Sequence, residues 1–206
     1  MSAIQSYSFL VLTCFGADID RVSSAAFESL EAHDLRRRFS VSRAEASPRK
    51  VYSGAPTPGG AHSKRALFFE PVACPGTTVL FADMEDGWWT LVNATAARVL
   101  GTHAQIRLTQ GDKKYPLRSF EVWSDRRSKR AVSCAKDDRG KWEFANVGEP
   151  LEFEDQRSYT KHRIADRLTP RMIVTYMSAL GWDIEGPQFW HSNQPGVYLD
   201  EVRTQA

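Results

Sequence analysis

The pattern of apolar and polar positions divides the chain into a sequence of recognisable elements. Residues 7–15 form a continuous apolar run of β-forming types, which predicts a buried strand. Asp18 then opens a helix on which Ile19, Val22, Ala26 and Leu30 recur at three and four residues, giving one apolar stripe. Apolar runs at 66–72 and 77–82, split by Pro71, Pro75 and Gly76, predict a strand pair. Trp88, Leu91, Val92, Thr95 and Val99 form the stripe of a second helix, and Gly101 stops it.

From 104 to 153 the apolar period changes to two. Ile106 and Leu108, Phe120 and Val122, Val132 and Cys134, and Trp142 and Phe144 each alternate with polar neighbours. Turn residues separate these pairs, so the segment predicts a four-stranded antiparallel meander. Two helices are expected to close this half. One spans 155–168. The other has Thr169 as N-cap, Pro170 at its first position, a stripe of Ile173, Tyr176, Met177 and Leu180, and Gly181 at its end. The aromatic tail carrying Trp182, Phe189, Trp190 and Tyr198 is expected to fold back onto the body. The fold class is therefore α+β: an antiparallel sheet, a meander in its second half, covered by about four helices.

The organisation is that of a single domain over 1–206, with a possible subdivision into 1–103 and 104–206. A basic stretch rich in Ser, Pro and Gly at about 36–65 is expected to be a long mobile loop, with a short strand at 39–41. At 206 residues and 42% hydrophobic composition, the chain can bury a core without staples. Residues 1–16 have no basic residue ahead of their apolar stretch and do not resemble a signal peptide. No apolar run suits a membrane span. Cys14, Cys74 and Cys134 are an odd number with no close pairing. They are expected to be free thiols in a cytoplasmic protein, with Cys74 the accessible one.

Net charge changes the picture little, at +2 from 27 basic and 25 acidic residues, but its distribution is uneven. Arg36 to Arg65 carries eight basic residues and one acid, whereas the stretch from Glu143 to Asp155 carries five acids and no base. Such segregation suits a charged docking surface. The sequence Arg126-Arg127-Ser128-Lys129-Arg130 falls in an expected hairpin turn, where its charges would be solvated.

Few catalytic motifs are present. The glycines of 54–61 have phosphate-loop spacing but lack the following lysine and hydroxyl residue. The five histidines lie more than ten residues apart, and neither HExxH nor GxSxG occurs. No cofactor or metal is expected. Asp83, Glu85 and Asp86 place three acids within four residues, where they suit the start of the following helix. The same acids, followed by Trp89, form a negative surface with an aromatic anchor. Together with Trp190, they are the candidate partner-binding residues.

These features favour a non-catalytic cytosolic protein that docks to another protein. Its most concrete form is a bacterial immunity-type protein that neutralises a basic toxin domain by direct docking, a task that needs a complementary surface and leaves no motif. Two other classes stay open. One is a small hydrolase or transferase with a site assembled from distant residues. The other is a nucleic-acid binder using Arg36, Arg37 and Arg38 and the second Arg-rich loop.

Overall fold

A computed structural model describes residues 4, 7, 9–33, 38–51, 65–82, 88–109, 116–124, 127–137 and 139–202. Its framework is one nine-stranded antiparallel sheet. In chain order the strands are β1 (Phe9–Phe15), β2 (Phe39–Glu45), β3 (Arg65–Phe69), β4 (Thr78–Ala82), β5 (Thr102–Thr109), β6 (Leu117–Ser124), β7 (Arg127–Lys136), β8 (Trp142–Val147) and β9 (Pro195–Glu201). Across the sheet they run β2-β9-β3-β4-β1-β5-β6-β7-β8. The expected meander is present as β5 to β8. The position considered for a domain boundary, 103/104, falls inside β5, which pairs with β1 from Phe9↔Thr109 to Phe15↔His103.

Among the described residues, four α-helices accompany the sheet: α1 (Ile19–Ala32), α2 (Pro48–Val51), α3 (Trp89–Ala96) and α4 (Pro170–Ala179). Alternation along β1 separates two cores. Phe9, Val11 and Phe15 pack with α1 and α3 on one face, which we call the α1 face. Leu10, Leu12 and Cys14 pack with α4 and the carboxyl-terminal tail on the other, the α4 face. Every residue of β1 is therefore buried, which explains its unbroken apolar run. The outer strands differ: most of β2 and β8 is exposed or half-exposed.

Local signals hold where the chain chemistry is specific. Asp18 caps α1 by accepting from Arg21 N at 2.9 Å. Thr169 caps α4 in the same way from Met172 N, with Pro170 following. Gly181, at φ +91°, ends that helix in a left-handed turn that a side chain would strain.

Two expectations need correction. The stretch 155–168 is not one helix but two 3-10 turns, Ser158–Thr160 and Ile164–Asp166, with Lys161 extended between them. Competing bonds explain this. Asp155 takes the Ser158 N–H and hydroxyl. Arg118 takes the carbonyls of Ala165 and Leu168, and Arg167 takes that of Lys161. The second concerns the supposed loop at 36–65: β2 and α2 occupy 39–45 and 48–51 of it, while 34–37 and 52–64 lie outside the described residues. Strand β2 forms because β9 pairs with it from Phe39↔Glu201 to Glu45↔Pro195. That long-range pairing leaves little local signature. Among the described residues, no helix is long and apolar enough to cross a membrane.

Candidate functional site

Asp83, Glu85 and Asp86 lie outside the described residues, as do Arg36 and Arg37, whereas Arg38 is exposed. The helix that follows the acids can be built from its own residues. Leu91, Val92, Thr95 and Ala96 bury one side of α3 against the α1 face. Its N-cap is Trp88, not one of the acids, and among the described residues no side chain caps it. Trp88 has φ +53°, a left-handed value uncommon outside glycine, and its ring packs 5.2 Å from Phe39.

Trp89 projects from the opposite side of α3 and is 46% exposed. Its indole N–H donates to Glu121 Oε2 at 3.2 Å. Asn93, one turn along, donates to the Trp89 carbonyl and accepts from Trp123 Nε1 at 2.9 Å. Trp89 is thus an exposed aromatic held in orientation by a carboxylate from β6. Leu100, beyond the helix end, is 50% exposed. The Ala97 N–H bonds to the Asn93 carbonyl and the Val99 N–H to that of Thr95, so helical pitch carries past α3, and at 100° per residue Trp89, Asn93, Ala97 and Leu100 share one outward stripe within about 80° of arc.

Trp190 does not join this surface. It sits on the α4 face, half-buried, with its ring 5.4 Å from Tyr7 and 5.9 Å from Phe81 and its indole N–H on the Ile184 carbonyl. The sheet separates it from Trp89. The acidic sequence around it suggests exposure, but the ring packs inward because the 3-10 turn Pro187–Trp190 folds the tail back.

The polar centre of the α4 face is a site that sequence reasoning missed. Arg130 and Glu154 are fully buried and joined twice, from Nε to Oε1 at 2.7 Å and from Nη2 to Oε2 at 2.6 Å. Arg130 Nη1 also donates to the carbonyls of Val147 and Gly148 and to Asn146 Oδ1. The Tyr159 hydroxyl donates to Glu154 Oε2 at 2.6 Å. Burial alone would raise the Glu154 carboxyl, but the bonds from Arg130 and Tyr159 outweigh it and hold the carboxyl below its ordinary value. Burial and the neighbouring carboxylate push the Tyr159 hydroxyl far up, so it stays a donor. Arg130 is therefore not a solvated turn residue: 127–130 belongs to β7, and the Val122↔Arg130 register turns this side chain inward. The available signal was the period of two, since Arg130 lies two residues before Val132 and four before Cys134.

The other histidine and cysteine candidates stay apart. His103 is buried, with Nε2 on the Val99 carbonyl, and burial lowers its pKa. Cys14 and Cys134 are buried, and Cys74 is half-buried near the Gly181 carbonyl. Burial raises all three thiols, which opposes nucleophilic use. An alkylating reagent without denaturant should label Cys74 first, and Cys14 and Cys134 only on unfolding. Equal fast labelling, read by mass spectrometry, would contradict these positions. Among the described residues, no three His, Cys, Asp or Glu side chains are grouped to hold a metal ion.

At the β7–β8 edge of the sheet, a shallow depression of about 450 Å³ is lined by Ser133 and Ala135 of β7, by residues 141–145 with Glu143 among them, and by Ile164. Cations surround it. Arg118 and Lys136 lie 5.2 and 5.6 Å from the Trp142 ring centre, and Arg167 lies 5.5 Å from that of Phe144. Comparison with protein-family models, with curated proteins and with solved structures finds no match to this chain.

Proposed function

We propose that the protein is a non-catalytic docking module that engages another protein through the outward side of α3, with Trp89 as its anchor. The observation that carries this reading is the exposed Trp89 indole held by Glu121. A pre-oriented aromatic supplies a large contact area with little side-chain entropy left to lose on binding. Asn93, Ala97 and Leu100 continue this outward stripe, with no basic residue among them. Asp83, Glu85 and Asp86 immediately precede α3 in the chain and carry three negative charges. A basic partner suits this combination. The most concrete version is a cytoplasmic immunity-type protein of bacterial kind that blocks a toxin domain by covering its cationic groove.

The test is affinity capture from native cells with wild-type and Trp89→Ala baits, followed by binding kinetics on the protein recovered in stoichiometric amount. Trp89→Ala should raise the dissociation rate about 30-fold, the effect of losing a hot spot of roughly 2 kcal/mol. Asp83→Asn and Glu121→Gln should act mainly on the association rate and its salt dependence. Unchanged rate constants in Trp89→Ala would place the docking surface elsewhere.

A further inference from the structure

We propose that the basic outer end of the α4 face, formed by β7, β8 and the 161–167 segment, binds a single-stranded nucleic acid through its phosphodiester backbone. The residues come from three places in the chain. Lys136 ends β7, Arg139 and Lys141 lie in the hairpin that follows, and Lys161, Arg163 and Arg167 flank the Ile164–Asp166 turn. The turn is fastened to the strands. Arg118 of β6 donates to its carbonyls, Cys134 of β7 donates to Ile164 O, and Arg167 both stacks on Phe144 of β8 and donates to Lys161 O. The six cations therefore lie on the segments that flank the depression, whose lining includes Lys141, Trp142 and one acid, Glu143.

Their pairing is the unusual feature. Among the described residues, none of the six has a carboxylate within ion-pair distance. Of the hairpin's two acids, Asp137 is occupied by the backbone N–H groups of Arg139 and Lys141, and Asp138 lies outside the described residues. Two cations, Lys136 and Arg167, rest instead on the Trp142 and Phe144 rings, which fixes their position without neutralising them. Glu143 of β8 and Asp166 of the turn offset part of this charge without pairing with it, and the positive excess is matched by a polyanion.

The apolar content decides between polyanions. A protein partner is expected to meet exposed apolar anchors at the centre of its interface. Among the described residues, the exposed large hydrophobic side chains are Val72, Trp89, Leu100, Val147 and Val202. Val147 is the one contributed by β7 or β8, and alternation from Trp142 and Phe144 puts it on the α1 face. A surface rich in charge, poor in apolar anchors and carrying half-exposed aromatics suits a nucleic-acid backbone better than an acidic protein. It lies across the sheet from Trp89, so both surfaces can be occupied independently.

Fluorescence anisotropy with labelled RNA and DNA oligomers of about 12 nucleotides tests this, a length within the range such surfaces cover. Both should bind at low salt, with log Kd rising against log salt by about 0.7 per engaged phosphate, or about 3 for four contacts. The double variant Lys141→Glu/Arg163→Glu should weaken binding about tenfold or more and lower the slope by about 0.7 per residue. Its melting should be unchanged, because both side chains are exposed. The control variant Arg49→Glu/Arg98→Glu carries the same charge change elsewhere and should bind as the wild type does. Trp89→Ala should also bind as wild type, which keeps this result separate from the docking reading. No binding at low salt would overturn the proposal. So would equal losses in the two double variants, or capture of a poly-glutamate chain in preference to both oligomers.

Discussion

Replacing Glu154 with glutamine should destabilise the fold by about 3–5 kcal/mol, the range for breaking a buried ion pair by removing one partner. The substitution keeps shape and one oxygen but leaves the Arg130 guanidinium charged and buried. Arg130 ties β7 to the Val147 and Gly148 carbonyls and, through Glu154 and Tyr159, to the 151–160 segment. Glu154 Oε1 also accepts from Leu151 N at 3.0 Å. Losing the carboxylate therefore loosens a connected network rather than one contact. Arg130→Met paired with Glu154→Leu should recover much of the loss, because removing both charges leaves no ion without a partner. Chemical denaturation of the three proteins checks the ordering. Equal stability of wild type and Glu154→Gln would show that the pair contributes nothing.

The same carboxyl sets a pH dependence. Its folded value lies below its unfolded value, so the folded protein releases this proton more readily than the unfolded chain. The stability it contributes is fully present above the unfolded carboxyl value of about 4.3 and is lost as pH falls through the folded value. Melting temperature against pH should therefore drop more steeply on the acid side for wild type than for Glu154→Gln.

What the sequence could and could not disclose follows from the range of each interaction. Local signals were legible: the Asp18 and Thr169 caps, Pro170, Gly181 and the period of two through β5 to β8 all act within a few residues. Strand β9 was not, because Pro195–Glu201 forms only by inserting between β2 and β3, partners more than 120 residues away. The 155–168 stretch misled because its helix-forming composition competes with side-chain bonds from Arg118, which sits in another strand. The exposure of Trp89 was legible from its place at the edge of a stripe. Its carboxylate partner Glu121 was not, since the β5–β6 register must first bring that strand beneath α3. The cations around Trp142 are scattered over 118–167 in the chain, and only the packing of the Ile164–Asp166 turn on β7 and β8 gathers them.

Truncating Phe189 to alanine should cost about 3–5 kcal/mol, the usual range for removing a buried aromatic ring, because the aromatic tail folds back onto the body as its sequence predicts. Phe189 is completely buried, and its ring meets Trp190 edge-on at 5.5 Å. Trp190 in turn contacts Tyr7 and Phe81. Upstream, Trp182 Nε1 donates to Thr77 Oγ1, and downstream Val72 N donates to the His191 carbonyl at 2.8 Å. The cavity left by Phe189→Ala would lie between the 3-10 turn Pro187–Trp190 and the α4 face, just before β9 enters the sheet. For a chain of this length, each kcal/mol shifts melting by about 2–4 °C, so the drop should be about 10 °C or more. Trp89→Ala, with its ring half in solvent, should move the melting temperature by only a few degrees and act on binding instead. If Phe189→Ala melted with the wild type, the tail would be an independent arm rather than part of the core. Trp190 would then return as a docking residue.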